Sequence, residues 1–397
     1  MLTRQSFVYY SPSPWHDLWR PQHHLAMALS RRNKVLFVER YPHLRSTLAC
    51  FRQGKLRWAD LRIPHLEQIS ENLHVYRPPL WACISPNPVV RGLSMLSRRF
   101  FLGRALRRLG MSHPLVWFSL PGMLELSQDI PSASLKLYHV IDEYSGYHGQ
   151  TAASRRRLQQ KEKEMMALVD VVCVVSEKLY QSKSPFNPHT CMIPNGVDYT
   201  SYERSLADPS LPENLRDIPE PRLGYIGLVG EKVDLPMLKQ LAESHPQWSL
   251  VFLGVVKLDK QADTWRALHA LPNVHLLDPV SAPQVPDYVK GFQVGLMPYV
   301  LDLQVQNSSP MKMYDYMAAG IPIASIDMPP ARPFESLIHL ASVPQDFARA
   351  VDAALADVSP ERRDARRQLA KQHSWDARVE QVLGVIEARL AERKTAV

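Results

Sequence analysis

The chain has 397 residues, 45% hydrophobic and 22% charged, a composition that excludes a disordered or fibrous protein and leaves room for two cores. No stretch approaches the roughly 18 consecutive apolar residues of a spanning helix, and the first residues lack a signal-peptide core of useful length, so a cytoplasmic protein is expected. The net charge of +8 is unevenly shared: residues 1–190 carry 26 Lys and Arg against 13 Asp and Glu, and the remainder carries 21 against 26. A basic half joined to an acidic half predicts an anionic partner for the first half. No helix-turn-helix, zinc-finger or aromatic-basic strand signature accompanies that charge, so nucleic acid is disfavoured. Cys50, Cys83, Cys173 and Cys191 lie far apart in sequence, which points to a reducing compartment and no zinc site.

In chain order, QSFVYYS reads as a first strand, PQHHLAMALSRR as a helix and KVLFVER as a second strand. PLVWFSL, LKLYHVID and VDVVCVVS follow, each short and apolar beside a helical pattern. The rhythm restarts at PRLGYIG and continues through SLVFLG, NVHLLD, VGLMPY and IPIASI. Strands alternating with helices predict parallel α/β architecture in two successive halves. The polar, proline-rich SLADPSLPENLRDIPEP predicts a linker, and Trp375, Val379, Val382, Ile386 and Leu390 form one stripe of a final helix.

The segment from Asn307 to Asp327, NSSPMKMYDYMAAGIPIASID, carries the most chemistry. Ser309 is a good N-cap, Pro310 suits a first helical position, Gly320 supplies a left-handed stop and Pro322 opens the next strand. Unpaired N–H groups at such a helix start, with Lys312 in the first turn, suit a diphosphate. Asp315, one turn on, suits a ribose diol. The plainer alternative is a surface helix with a local Lys312–Asp315 ion pair.

This segment resembles the donor-binding motif of retaining GT-B glycosyltransferases, which in one branch reads roughly S-P-x-K-x-x-E-Y-x-A-x-G-x-P. Ser309, Pro310, Lys312, Tyr316, Ala318, Gly320 and Pro322 match, with Asp315 in place of Glu. The broader family has an acidic residue eight positions earlier, where this chain has Asn307. SPSPWHDLWRPQHHLAMAL resembles the opening of the same surface-polysaccharide branch, W-x-x-x-x-R-P-Q-H. Trp15, Arg20, Pro21, Gln22 and His23 carry that match, and Arg20 and His23 are placed toward phosphate or acceptor. His23 and His24 point about 100° apart on a helix, with no third ligand at useful spacing, so they are not read as a metal site. MIPNGVD, from Met192, with Tyr202 beyond it, resembles the family's strand-end signature and is read as an architectural turn.

In GYIGLVGEKVDLPML, Gly227 and Gly230 would let backbone approach a ligand, and Lys232 would meet the distal phosphate; a solvated loop lysine is the alternative. In LYHVIDEYSGY, Asp142 follows a buried strand and is the favoured carboxylate, with Glu143 as its alternative and His139 a core histidine. Glu162 and Asp170 match the family pattern but read as packing residues. No Asp-x-Asp occurs.

The resemblance implies an α/β GT-B fold: two Rossmann-like, doubly wound parallel-sheet domains facing across a cleft, with a C-terminal helix crossing back to the N-terminal domain. The expected boundaries are residues 1–200 for the acceptor-side domain, 201–220 for the linker, 221–374 for the nucleotide-sugar domain and 375–397 for the crossing helix. The implied function is a retaining, metal-independent glycosyltransferase without a cofactor. It would move a sugar from a nucleotide-sugar to a saccharide or polyprenyl-linked saccharide in bacterial surface polysaccharide synthesis. Asp142, Lys312 and Lys232 are the expected catalytic residues. Trp15, Arg20, Gln22, His23, Gly227, Gly230, Asn307, Ser308, Ser309 and Asp315 are the expected substrate contacts. A non-catalytic GT-B subunit of an assembly complex and a sugar-nucleotide epimerase are the alternatives. The basic stretch from Arg91 to Gly110, with Leu96, Phe100, Phe101 and Leu106, predicts peripheral contact with anionic lipid at the inner face of the plasma membrane, or else a basic helix packed on its own domain.

Overall fold

The computed structural model describes residues 4–54, 65–85, 87–146 and 151–395. Tyr147, which ends the LYHVIDEYSGY motif, lies outside them. The chain forms two compact units: Met1–Ile141 with Tyr147–Ile193 and Val379–Val397, and Asp142–Gly146 with Pro194–Arg378.

The first unit holds an eight-stranded sheet of β1 (Ser6–Tyr10), β2 (Lys34–Val38), β3 (Leu66–Gln68), β4 (Leu73–Tyr76), β5 (Leu115–Phe118), β6 (Leu135–Val140), β7 (Val171–Val174) and β8 (Thr190–Met192). The strand order is β3-β4-β2-β1-β5-β6-β7-β8, parallel except for β3 against β4. Central strands are buried throughout, β1 as FVYY, β5 as LVWF and β7 as VVCV, which is why they read as continuous apolar runs and not as alternating ones. Cys173 and Cys191, remote in sequence, are brought side by side by the β7–β8 register, Sγ to Sγ 3.6 Å.

The second unit holds a six-stranded, all-parallel sheet of β9 (Arg222–Ile226), β10 (Ser249–Leu253), β11 (Val274–Leu277), β12 (Val294–Met297), β13 (Ile323–Ile326) and β14 (His339–Ala341), ordered β11-β10-β9-β12-β13-β14. The strand order reverses beside β9, and loops at strand carboxyl ends near such a reversal form ligand crevices.

Two expectations about organisation need correction. The division falls at Ile193–Pro194, and residues 201–220 are not a free linker. Helix Tyr199–Ala207 and the short helix Glu213–Arg216 pack onto the second unit, anchored by buried Tyr202, Leu215 and Ile218. Proline-rich composition concealed those apolar anchors. The final helix, Trp375–Thr395, buries Val379, Val382 and Ile386, and from Val379 it belongs to the first unit. There Arg32 pairs with Glu380, and Arg393 reaches Ser134 O at 3.0 Å and Asp170 at 3.2 Å.

Candidate active site

The site residues of the second unit converge on one helix start. Helix Met311–Ala319 is apolar on the face that meets the sheet, burying Met313, Tyr314, Tyr316 and Met317. Tyr316 fastens it: the hydroxyl donates to Gly224 O at 3.0 Å and accepts from Ile226 N at 3.3 Å. Gly320 ends the helix at φ +80°, as the left-handed stop requires. The N-cap differs from expectation. Pro310 holds that position, and Ser309 sits one residue before it. The Ser309 hydroxyl instead accepts from Asn195 N at 3.1 Å, while Ser309 O accepts from Asn195 Nδ2 at 2.7 Å. Asn195, in the MIPNGVD turn, thus holds the loop that feeds the helix.

Around that loop the predicted residues meet. Ser308 donates to Val305 O at 2.8 Å, and buried Asn307 donates to Leu303 O at 2.7 Å, closing the short helix Leu303–Gln306. The Lys312 ammonium stands 3.4 Å from the centroid of the Tyr225 ring and 5.1 Å from that of Tyr299. Burial drives its pKa well below the usual lysine value; Asp315 opposes that shift and the like charge of Lys232 adds to it. Asp315 accepts from the Tyr202 hydroxyl at 3.0 Å. Burial pushes its carboxyl up to about 7, against the pull of Tyr202 and Lys312.

Asp142 clusters with this unit although its strand belongs to the other. Its Oδ2 accepts from Gln304 Nε2 at 2.7 Å and lies 3.9 Å from Lys232 Nζ, and its Oδ1 accepts from Glu143 N. Lys232 follows the turn after β9, where Gly227 has φ +99°. Gly230 has no positive φ. Glu143 caps its own turn, accepting from Ser145 N and Oγ.

The residues of the first unit do not all reach a site. Trp15, Gln22 and His23 are buried and build their own loop. His23 Nδ1 accepts from Arg20 N at 3.0 Å, its Nε2 faces Pro14 O at 2.9 Å, and its ring lies 5.6 Å from that of Trp15. Both ring nitrogens are therefore held, which corrects the expectation that His23 touches phosphate or acceptor. Of the four, only Arg20 is exposed. His139 is a core histidine, edge-on to Trp117 and pushed by burial down to about 4, hence neutral. Glu162 takes Tyr138 Oη at 3.1 Å and Lys183 Nζ at 2.7 Å, and Asp170 takes Lys136 N at 2.8 Å, as packing residues do.

Sequence reasoning missed Tyr225, Tyr299 and Gln304. Both tyrosines lie at or just beyond a strand's apolar run, where aromatic content reads as core. Gln304 carried no signal.

Two α/β units of this kind define the GT-B fold. Within the second unit, residues 221–357 match the family model described as glycosyl transferases group 1. TuaH of Bacillus subtilis (strain 168), named as a teichuronic acid biosynthesis glycosyltransferase, is 25% identical over 286 residues, 68% of this chain and 70% of that protein. Among solved structures, sucrose-phosphate synthase from Thermosynechococcus elongatus superposes with a TM-score of 0.66 at 16% identity, covering 98% of this chain and 100% of that one. The Escherichia coli trehalose-6-phosphate structure bound with UDP-2-fluoro glucose gives 0.63 at 10% identity, covering 96% and 98%. WaaG, a lipopolysaccharide biosynthesis glycosyltransferase, gives 0.59 at 12%, covering 95% and 98%.

Proposed function

We propose that the protein transfers a sugar, with retention of configuration and without a metal, from a nucleotide-diphosphate sugar to a saccharide or lipid-linked saccharide in bacterial surface polysaccharide synthesis. The observation that carries the chemistry is the convergence of Lys312, Lys232, Asp315 and Asp142 on the start of helix Met311–Ala319. Similarity to TuaH supports the polysaccharide setting. Asp315 holds the ribose, and Gly227 and Gly230 let the backbone of their loop approach the donor. Ser308, Ser309 and the helix N-terminus hold the diphosphate, and Asn307 closes the donor side.

Departure of a nucleoside diphosphate builds negative charge where the helix N-terminus and two lysines already stand. Preorganised positive charge stabilises that transition state more than the ground state. The anomeric carbon becomes oxocarbenium-like while the acceptor hydroxyl attacks, and Asp142, fixed by Gln304 and Lys232, faces the reacting centre. Arg20 is the exposed cation of the first unit's opening loop and contacts the acceptor. Incubation with each nucleotide-sugar class tests the reading. Release of nucleoside diphosphate that depends on added saccharide is expected. Donor turnover without acceptor would indicate an epimerase, and nucleotide binding without transfer a non-catalytic subunit.

The enzyme works at the inner face of the membrane through helix Pro88–Leu109. Val89, Leu93, Leu96 and Phe100 recur along it at helical spacing and are 60–70% exposed, with exposed Arg91, Arg104, Arg107 and Arg108 around them. An apolar stripe flanked by arginines matches an anionic bilayer. Arg98 takes no part: it is fully buried against Asp129 and Glu125.

A further inference from the structure

Lys312 is half-buried, and among the described residues its ammonium forms no ion pair and no hydrogen bond. The carboxylate on its own helix, Asp315, is held by the Tyr202 hydroxyl. What faces the ammonium is aromatic: the Tyr225 ring, its centroid 3.4 Å away, and the Tyr299 ring at 5.1 Å. Both lie inside the roughly 6 Å reach of a cation–π contact.

Both tyrosines are fixed in place. Tyr225 is 2% exposed within β9, its ring 5.9 Å from that of Phe252 on the neighbouring β10. The helix is locked in register around it, because Tyr316 donates to Gly224 O and accepts from Ile226 N, the residues on either side of Tyr225. Lys312 and Tyr316 are four positions apart and share one face of that helix, so the contacts of Tyr316 carry the ammonium to the ring. The Tyr225 hydroxyl donates to Leu228 O at 2.9 Å, in the turn that opens at Gly227. Tyr299 is tied through its backbone to the segment that carries Lys232: Val300 N donates to Lys232 O at 2.8 Å, and Tyr299 bridges Val233. The two rings thus join the helix start, the glycine turn and the Lys232 segment.

A carboxylate partner would hold Lys312 but would also occupy its N–H donors and cancel its charge. A ring face stabilises the ammonium through its quadrupole and leaves the charge uncancelled. It opposes the tendency of burial to favour the neutral amine. N–H groups that do not point at a ring stay open to an arriving anion.

We infer that Tyr225 and Tyr299 are positioning residues for Lys312: their rings hold its ammonium without neutralising it, and the Tyr225 hydroxyl fixes the turn that follows β9. The consequence for diphosphate binding rests on the proposed donor site; the aromatic cage itself does not.

The test is NMR of the full chain carrying carbon-13 lysine, beside calorimetric titration with UDP, GDP, dTDP and ADP. A lysine packed on a ring face has its Cε–H resonance moved upfield by the ring current, and Lys312→Ala identifies the signal by removing it. Tyr225→Leu should return that signal to the ordinary lysine position, and Tyr225→Phe, which keeps the face, should preserve it. Tyr299→Leu, at a half-buried position, should reduce the shift and serves where Tyr225→Leu folds poorly. For the nucleoside diphosphate that binds wild type, Tyr225→Leu should weaken binding by roughly 5- to 30-fold, equivalent to about 1–2 kcal/mol for a partly desolvated cation–π contact. Tyr225→Phe should weaken it less. In a Lys312→Ala background Tyr225→Leu should add little, as expected of a residue that acts through Lys312 and not through the core. No upfield lysine signal that Lys312→Ala removes, or an undiminished effect of Tyr225→Leu in that background, would overturn the assignment. A shifted signal with no binding of any of the four nucleotides would sink the donor reading and leave the cage standing.

Discussion

The Tyr202 hydroxyl donates to Asp315 Oδ1 at 3.0 Å, so one oxygen of the proposed ribose-binding carboxylate is already held by the helix that follows the MIPNGVD turn. This bond orients the carboxylate. Replacing Tyr202 by Phe should weaken nucleotide binding by roughly 1–3 kcal/mol, the range for a bond to a charged group in a buried setting. Calorimetric titration of the nucleotide that binds wild type checks it.

Asp315 also sets a pH dependence. Its folded pKa of about 7 lies above the ordinary carboxyl value, so the folded protein binds the extra proton. The contribution to stability is full below about pH 4 and falls as pH rises toward 7, then levels off. A ribose diol is bound best by the ionised form, so nucleotide affinity should rise over the same window. Asp315→Asn should flatten both profiles; unchanged profiles would remove Asp315 from the site.

Lys312 gives a proton-uptake signature. Burial lowers its pKa in the free protein, and a bound diphosphate would raise it again. Calorimetry in buffers of different ionisation enthalpy should show protons taken up on nucleotide binding, and Lys312→Ala should abolish that component.

Asp142 should separate binding from chemistry. Asp142→Asn keeps a partner for Lys232 and Gln304 but loses the charge, so turnover should fall by about 10²–10⁴ with nucleotide affinity unchanged. Equal losses in both would make Asp142 a binding group.

Gly320→Ala tests the helix stop. At φ +80° a left-handed non-glycine residue costs about 1–2 kcal/mol, and the added Cβ would stand 2.7 Å from Arg363 Cγ. The melting temperature should fall.

Most of the fold was legible because buried parallel strands are short apolar runs separated by helices. Strands β3, β4, β8 and β14 were not: β3, β8 and β14 are three-residue edge strands with half-exposed, mixed residues, and β4 is only four residues long with His74 breaking its apolar run. The motif order located Lys312 and Asp315 correctly on one helix. It misplaced the cap, because a serine before proline looks alike whether it caps the helix or receives Asn195. Within the basic stretch from Arg91 to Gly110, nothing in a run of arginines tells that Arg98 is the one that turns inward to Asp129. Tertiary partners decide both cases.

The most direct test of the donor site is thermal melting of wild type and Lys312→Ala with UDP, GDP, dTDP and ADP. A nucleotide at 100 times its dissociation constant adds about 2.7 kcal/mol of stability. One base class should raise the melting temperature of wild type and do so much less in the variant, which loses roughly 1.5–3 kcal/mol of charge-assisted bonding. No shift with any nucleotide, or an equal shift in both proteins, would contradict a donor site built on Lys312.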